Sequence, residues 1–333
     1  MSRPGIGSQT ALRVTLPRGI DHSLPRALET RLHPLMRRAL NQREKQISQH
    51  LKQGSVISVN ELREAECTLE RSAALGISAV SFFDEDYPPL LRLIPRPPAL
   101  LYYLGDLKSL AQPSVAIVGT RRPSPQGLQR VTGSIAHLAQ SGLLQTEKGT
   151  PRQGYCVISG LALGVDGRAH QAAIHHGLYT VAVVGGGLDT CSPRQHESLW
   201  AEIIHAGGAI LSEIPVFTPP TPASLVSRDR IQAGLATATY VAESSVKGGA
   251  LHAARAAIKQ DRTLWFPQSH RSSLLEFRGQ AKVKWLSQIS ELTQAINELK
   301  SEYDELIKQS SRVLEELNIA KREMNTLSLL SHY

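Results

Sequence analysis

Along the middle of the chain, short apolar runs end repeatedly in a glycine, a hydroxyl or a charge. Val115-Ala116-Ile117-Val118 closes on Gly119-Thr120-Arg121-Arg122, and Cys156-Val157-Ile158 closes on Ser159-Gly160. Thr180–Val184 runs into Gly185-Gly186-Gly187, and Ala209-Ile210-Leu211 into Ser212-Glu213. Thr239–Glu243 and Thr263–Pro267 complete the set. Runs this short, bounded by turn residues, predict buried parallel strands. Helix-compatible segments lie between them, at about 126–140, 166–177, 194–206, 228–237 and 249–260. Strands alternating with helices of this length predict βαβ units, hence an α/β fold with a mainly parallel sheet.

The flanks read differently. Residues 1–11 are rich in Gly, Ser and Pro and predict a disordered tail, whereas 24–75 reads as helical and basic. Ser58-Val59-Asn60-Glu61 has capping-box spacing, which starts a helix there. Prolines at 88–89 and 95–98 predict an extended connection, and Leu100–Leu104 a short strand added to the edge of the sheet. Gln145–Gly154 is polar and reads as an exposed loop. From Ile289 through Ile296, Leu299, Tyr303, Leu306, Ser310, Val313 and Leu317 to Leu327, apolar residues recur at spacings of three and four, with Ser310 the polar exception. That heptad pattern predicts a long coiled-coil helix whose stripe needs a partner, hence a homo-oligomer or a docking protein. Ile307 and Leu314 widen the face, which also allows packing on the sheet domain. The expected division is a tail and basic helical segment over 1–80, a sheet domain over 81–280 and a coiled-coil helix over 285–330.

Composition narrows the chemistry. The formal net charge of +8 fits a polyanionic partner. There is no apolar run long enough to span a membrane, and the N-terminus lacks the apolar stretch of a secretory signal, so the expectation is a cytoplasmic protein without membrane contact. Cys67, Cys156 and Cys191 are too far apart for metal-ligand spacing, and no metal or cofactor is expected. Ligands of open parallel sheets sit outside the carboxyl ends of the strands, where backbone N–H groups and helix starts attract anions. The candidate phosphate-binding residues are therefore Gly119, Thr120, Arg121, Arg122, Ser159, Gly160, Gly185, Gly186, Arg194, Arg228, Arg230, Lys247, Gly248 and Gly249. Asp166 and Glu213 read as internal partners for the arginines. His170 reads as packed or hydrogen-bonded within its helix. No Ser-His-Asp order or Walker motif is visible, so no catalytic residue is expected.

Several of these segments, in this order, resemble the DNA-processing protein A (DprA/Smf) family. They are the Gly119-Thr120-Arg121 turn, Ser159-Gly160-Leu161-Ala162-Leu163-Gly164-Val165-Asp166 with Ala169-His170, Leu211-Ser212-Glu213-Ile214-Pro215, and Arg228-Asp229-Arg230-Ile231-Gln232-Ala233-Gly234-Leu235. The resemblance spans about 80–280. It implies a Rossmann-like, doubly wound domain that binds single-stranded DNA in recombination and DNA processing, with a RecA-type recombinase, or another protein held through the coiled coil, as partner. It does not imply an enzyme. Three departures stand out. Asp229 replaces the family's Asn between two arginines. Gly248-Gly249-Ala250-Leu251-His252 lacks hydroxyls found there in the family. A coiled coil stands where many members carry a winged helix. A second reading is a nucleotide-sensing domain of the wider superfamily that includes the LOG-type phosphoribohydrolases, signalling to an effector in a mobile element or defence system.

Overall fold

The computed structural model describes residues 59–142 and 154–330. The tail, the basic segment before Val59 and most of the 145–154 loop lie outside the described residues. Helix α1 (Val59–Ala74) begins one residue after Ser58.

All six strands expected from the apolar runs are present: β3 (Ser114–Gly119), β4 (Cys156–Ser159), β5 (Tyr179–Val183), β6 (Ala209–Ser212), β7 (Ala238–Glu243) and β8 (Thr263–Pro267). Leu100–Gly105 forms the expected short strand, β2, but not at the edge, since two further strands close the ends, β1 (Ser78–Ser81) outside β2 and β9 (Val283–Leu286) at the other side. The nine-stranded order is β1-β2-β6-β5-β4-β3-β7-β8-β9. The β1–β2 and β2–β6 pairings are antiparallel, and from β6 to β9 every pairing is parallel. The chain winds outward from β3 to β6, then returns to place β7 on the other side of β3. That reversal is the point where open α/β sheets leave a crevice at their carboxyl ends.

Helices cover both faces: α2 (Pro89–Arg92), α3 (Pro125–Gly142), α4 (Val165–His175), α5 (Glu197–His205), α6 (Pro222–Leu235) and α7 (Leu251–Lys259). Helix α6 starts six residues before the expected 228. Thr221 and Ser224 form a reciprocal cap and Pro222 takes the first turn, where its missing N–H costs nothing. Alternate residues of β3 separate the two cores. Val115 and Ile117 join α3 and α4 on one face, while Ala116 joins α2 and α6 on the other.

The expected coiled coil is corrected by the packing of α8 (Ile289–Leu330). Its stripe is covered by its own chain over the residues whose side chains are described. Ala295, Ile296 and Leu299 enter the α3–α4 core, and Val313 and Leu317 enter the α2–α6 core. Between these anchors the helix crosses the amino-terminal ends of the strands. Tyr155, just before β4, donates its hydroxyl to the Ile296 carbonyl at 3.3 Å, and Thr263, first in β8, donates to Glu302 at 2.8 Å. Ser310, the polar break in the heptads, is buried and donates to the Pro89 carbonyl at 2.7 Å. An intrachain acceptor, not a helical partner, accounts for that serine.

Candidate nucleic-acid interface

At the crevice, the turn after β3 is held from two sides. The Thr120 N–H donates to the Glu243 carbonyl at the end of β7 (2.9 Å), and the Thr120 carbonyl accepts from Val165 at the start of α4 (3.2 Å). A Cβ on Gly119 would press into the Val165 side chain at 2.5 Å, so the close approach requires glycine. These ties present Thr120 and Arg121 at the wall of an open cleft of about 480 Å³. Its other walls are the turn and helix start at Ser244–Ala250, and Leu225, Arg228, Asp229 and Gln232 on α6. Gly248 and Gly249 line it, with Gly249 open to solvent. Arg122 and Lys247 are exposed on the flanks of the same two turns.

The start of α3, which sequence reasoning assigns to an anion, already holds one. The Glu243 carboxylate accepts from the Ser124 N–H (3.2 Å) and hydroxyl (2.8 Å), and its oxygen lies where a Gly127 side chain would be. An internal carboxylate thus satisfies this helix N-terminus. No motif flags Glu243 for that duty beyond its place as the polar end of β7.

Arg228, expected among the phosphate ligands, lines the cleft as an internally paired side chain. It is buried, donates to the Val183 carbonyl at 2.8 Å, and pairs with Asp229 at 3.2 Å and with Asp166 at 3.9 Å. Gly160 is part of the same unit, since any Cβ there would overlap the guanidinium. Ser159 is buried too and donates to the Ile117 carbonyl at 2.6 Å. Gly185 and Gly186 are buried beneath Leu225 and Pro220 and do not line the cleft. Arg230 leaves the cleft: it binds Glu213 at 2.5 Å and faces a neighbouring basic groove of about 650 Å³ with Arg96, Arg255 and Lys259. Arg194 is exposed further along the edge, in the short turn before α5. Of the fourteen candidates, the structure gathers Gly119, Thr120, Arg121, Arg228, Gly248 and Gly249 at the open cleft, Arg228 as a buried, ion-paired part of its wall.

Gln232 and Asp229, the second a departure from the family pattern, line the cleft but lie outside the fourteen candidates. Gln232 is buried, and its amide Nε2 has no hydrogen-bond partner. It follows Arg228 by four residues, so it shares that helix face, a spacing readable in advance. Burial pushes the Asp229 carboxyl up to about 7, helped by the neighbouring Asp166 charge and opposed by Arg228 and Arg121. Burial also raises Asp166, against the pull of Arg228. His170 is a packed histidine. Thr180 donates to the Val157 carbonyl (2.8 Å), so the 2.7 Å contact requires His170 Nδ1–H to donate to Thr180, and burial holds the ring at about 3, neutral. Among the described residues no cluster of His, Cys, Asp and Glu could hold a metal ion, and no helix is long and apolar enough to cross a membrane.

Comparison with known proteins places this architecture. Protein Smf of Synechocystis sp. is 40% identical over 186 residues, which is 55% of this chain and 44% of that protein. Protein Smf of Escherichia coli is 36% identical over 199 residues, 60% of this chain and 49% of its own length. The chain thus spans about half the length of these curated relatives. Among solved structures, DNA processing protein A from Helicobacter pylori, described by its single-stranded DNA binding mode, superposes with a TM-score of 0.56 at 27% identity, covering 67% of this chain and 96% of that one. DprA from Streptococcus pneumoniae superposes with a TM-score of 0.54 at 26% identity, over 72% and 83% of the two chains. Residues 78–304, from β1 into α8, match the model of the DNA recombination-mediator protein A family, and the chain belongs to that family.

Proposed function

We propose that this protein binds single-stranded DNA at the carboxyl edge of its sheet, as a non-catalytic accessory of DNA processing and recombination. The observation that carries the reading is the open cleft at the strand-order reversal, where Arg121 stands exposed on a glycine turn and the two lining acids, Asp166 and Asp229, are both paired with Arg228. An arginine over a glycine turn holds a phosphate and reads no base, so sequence preference is weak. The other charged groups of the edge pair with one another, Arg228 with Asp166 and Asp229, and Arg230 with Glu213, which fits a scaffold better than an acid–base pair. Membership of a recombination-mediator family extends the reading to delivery of the strand to a RecA-type recombinase.

The test is fluorescence anisotropy with labelled single and double strands across a salt series. Single strands should bind more tightly, with affinity falling by orders of magnitude from low to moderate salt. Arg121→Ala should weaken binding and lower the salt slope by about one, with stability unchanged, and should do more harm than Arg37→Ala in the basic segment that precedes the sheet domain. Equal or tighter duplex binding, or a larger loss from Arg37→Ala, overturns this reading. The unpartnered Gln232 amide favours a second one, in which the cleft senses a mononucleotide. A thermal shift with a nucleotide panel, absent with oligonucleotides, would select it.

A further inference from the structure

Beyond the cleft, the carboxyl edge carries an aromatic ring that the fold presents outward. After β6 the chain passes through Glu213–Thr221 before entering α6. This segment is fixed at four successive points. Val216 is buried in the core beneath α5, and the Phe217 N–H donates to Asp189 Oδ1 at 2.6 Å. The Thr218 carbonyl accepts from Gly187 at 2.8 Å, and Pro220 lies over Gly186. A segment tied down so closely has no freedom to swing its side chains, and it turns the small Val216 inward and the large Phe217 outward. Phe217 is 61% exposed, the most exposed large apolar residue among those described.

Its backbone is also strained. Phe217 has φ 61°, a region that bulky residues seldom adopt. Two other non-glycine residues share that region, and each has a compensation. Leu161 is fully buried, and Asp261, of a type that tolerates the left-handed region, holds Lys282 at 2.8 Å. Phe217 has neither burial nor a side-chain partner. Phe83, the other phenylalanine among the exposed residues, rests edge-on against Phe82. Strain held in place by surrounding structure, with an apolar ring in water as its product, marks a group kept for an external contact.

The surroundings indicate which contact. Phe217 is tied to the turn that follows β5, and β5 is separated from β3 only by β4, so the strands that carry the two turns lie about 10 Å apart along the edge. Exposed Leu163, Val226 and Val246 and the cations Arg121, Arg194 and Lys247 occupy the turns and helix starts of the same edge. Cations interleaved with an aromatic face are what a single strand requires, phosphates for the first and an unpaired base for the second. A duplex, with its bases stacked inside, cannot use the ring. We propose that Phe217 is a base-stacking platform for a single-stranded nucleic acid whose backbone lies in the cleft at Arg121. This rests on the single-strand reading above and adds a residue that selects single over double strands.

The experiment compares the full chain with Phe217→Gly and Phe217→Tyr. Glycine removes the ring and relieves the positive φ, so its melting temperature should equal or exceed the parent's. Its affinity for an oligothymidylate should fall about tenfold, with the salt slope unchanged because no phosphate contact is lost. Tyrosine should restore binding. On a strand of equal length made of abasic residues, parent and glycine variant should bind alike. The proposal is overturned if Phe217→Gly binds the oligothymidylate as the parent does, or loses equally on the abasic strand. It is also overturned if the glycine variant keeps its affinity while its mass by light scattering drops, which would make the ring a contact between copies. Failure of the underlying reading is separately visible, because then the parent itself binds no single strand.

Discussion

The two ends of the same parallel strands have been finished in opposite ways. At the amino ends, α8 lies across the sheet and closes it, with the Tyr155, Thr263 and Ser310 hydroxyls each given a partner between helix and sheet domain. At the carboxyl ends, glycine turns stand open around a cleft, a glutamine amide is left without a partner, and a phenylalanine is held out in water. One end gives these hydroxyls partners within the fold, although Arg262 Nε beside Thr263 has none. The other leaves some of its polar groups to be satisfied from outside. The contrast also separates two uses of arginine at the carboxyl edge: Arg228 is consumed by the fold, whereas Arg121 is left exposed.

The largest effect that sharpens this contrast is expected from Arg228→Ala. It would strand the Asp166 and Asp229 carboxylates and empty the space over Gly160, which for a buried ion pair costs about 4 kcal/mol. Denaturant unfolding should show that loss. A variant as stable as the parent that fails only in DNA binding would instead return Arg228 to the ligand-binding set. Next comes the amino edge. Leu299 is 1% exposed, so Leu299→Ala should cost about 3 kcal/mol of stability, while the affinity of the folded protein for single strands stays the same. A loss of affinity at full stability would mean the two ends are not separate.

The smallest effect is the pH response of Asp229. Its carboxyl in the folded protein lies at about 7, above the ordinary value near 3.8, so the folded state takes up a proton more readily than the unfolded chain. The stability this contributes is fully present below the ordinary value and is lost as pH rises toward and through about 7. Protonation also removes a negative charge from the cleft. Single-strand affinity should therefore rise severalfold between pH 8 and pH 6. Asp229→Asn should abolish that dependence and bind at pH 8 as the parent does at pH 6. An unchanged pH profile in the asparagine variant would place the titrating group elsewhere.

The strands were legible because a buried parallel strand must be apolar on both faces, and Val115–Val118 or Thr180–Val184 meet that demand without help from context. Ser78–Ser81 and Val283–Leu286 were not, because they lie at the ends of the sheet and carry mixed, partly exposed residues. The site was legible only as a place. Sequence shows that glycines and arginines fall at strand ends, but not which are already spoken for. Gly160 and Gly185 looked like Gly119, yet the first is filled by Arg228 and the second by Leu225. Glu243 is not legible in the sequence because its duty depends on Ser124, a neighbour across the reversal point and far along the chain. The heptads of α8 predict a stripe needing cover by a partner helix or by the sheet domain, and over the described side chains the sheet domain covers it, because periodicity states that a face is buried, not against what.

That helix has a consequence for how the molecule comes apart. Its first turns belong to the core on one face of the sheet, and the turns around Val313 and Leu317 to the core on the other. A single continuous rod therefore has one foot in each layer, and neither layer can open without lifting it. Amides in α3 and in α6 should then exchange with solvent by the same global event, although no residue of one layer need touch the other. The turns of the carboxyl edge stand outside this bond, held by their own hydrogen bonds to neighbouring strands and helices.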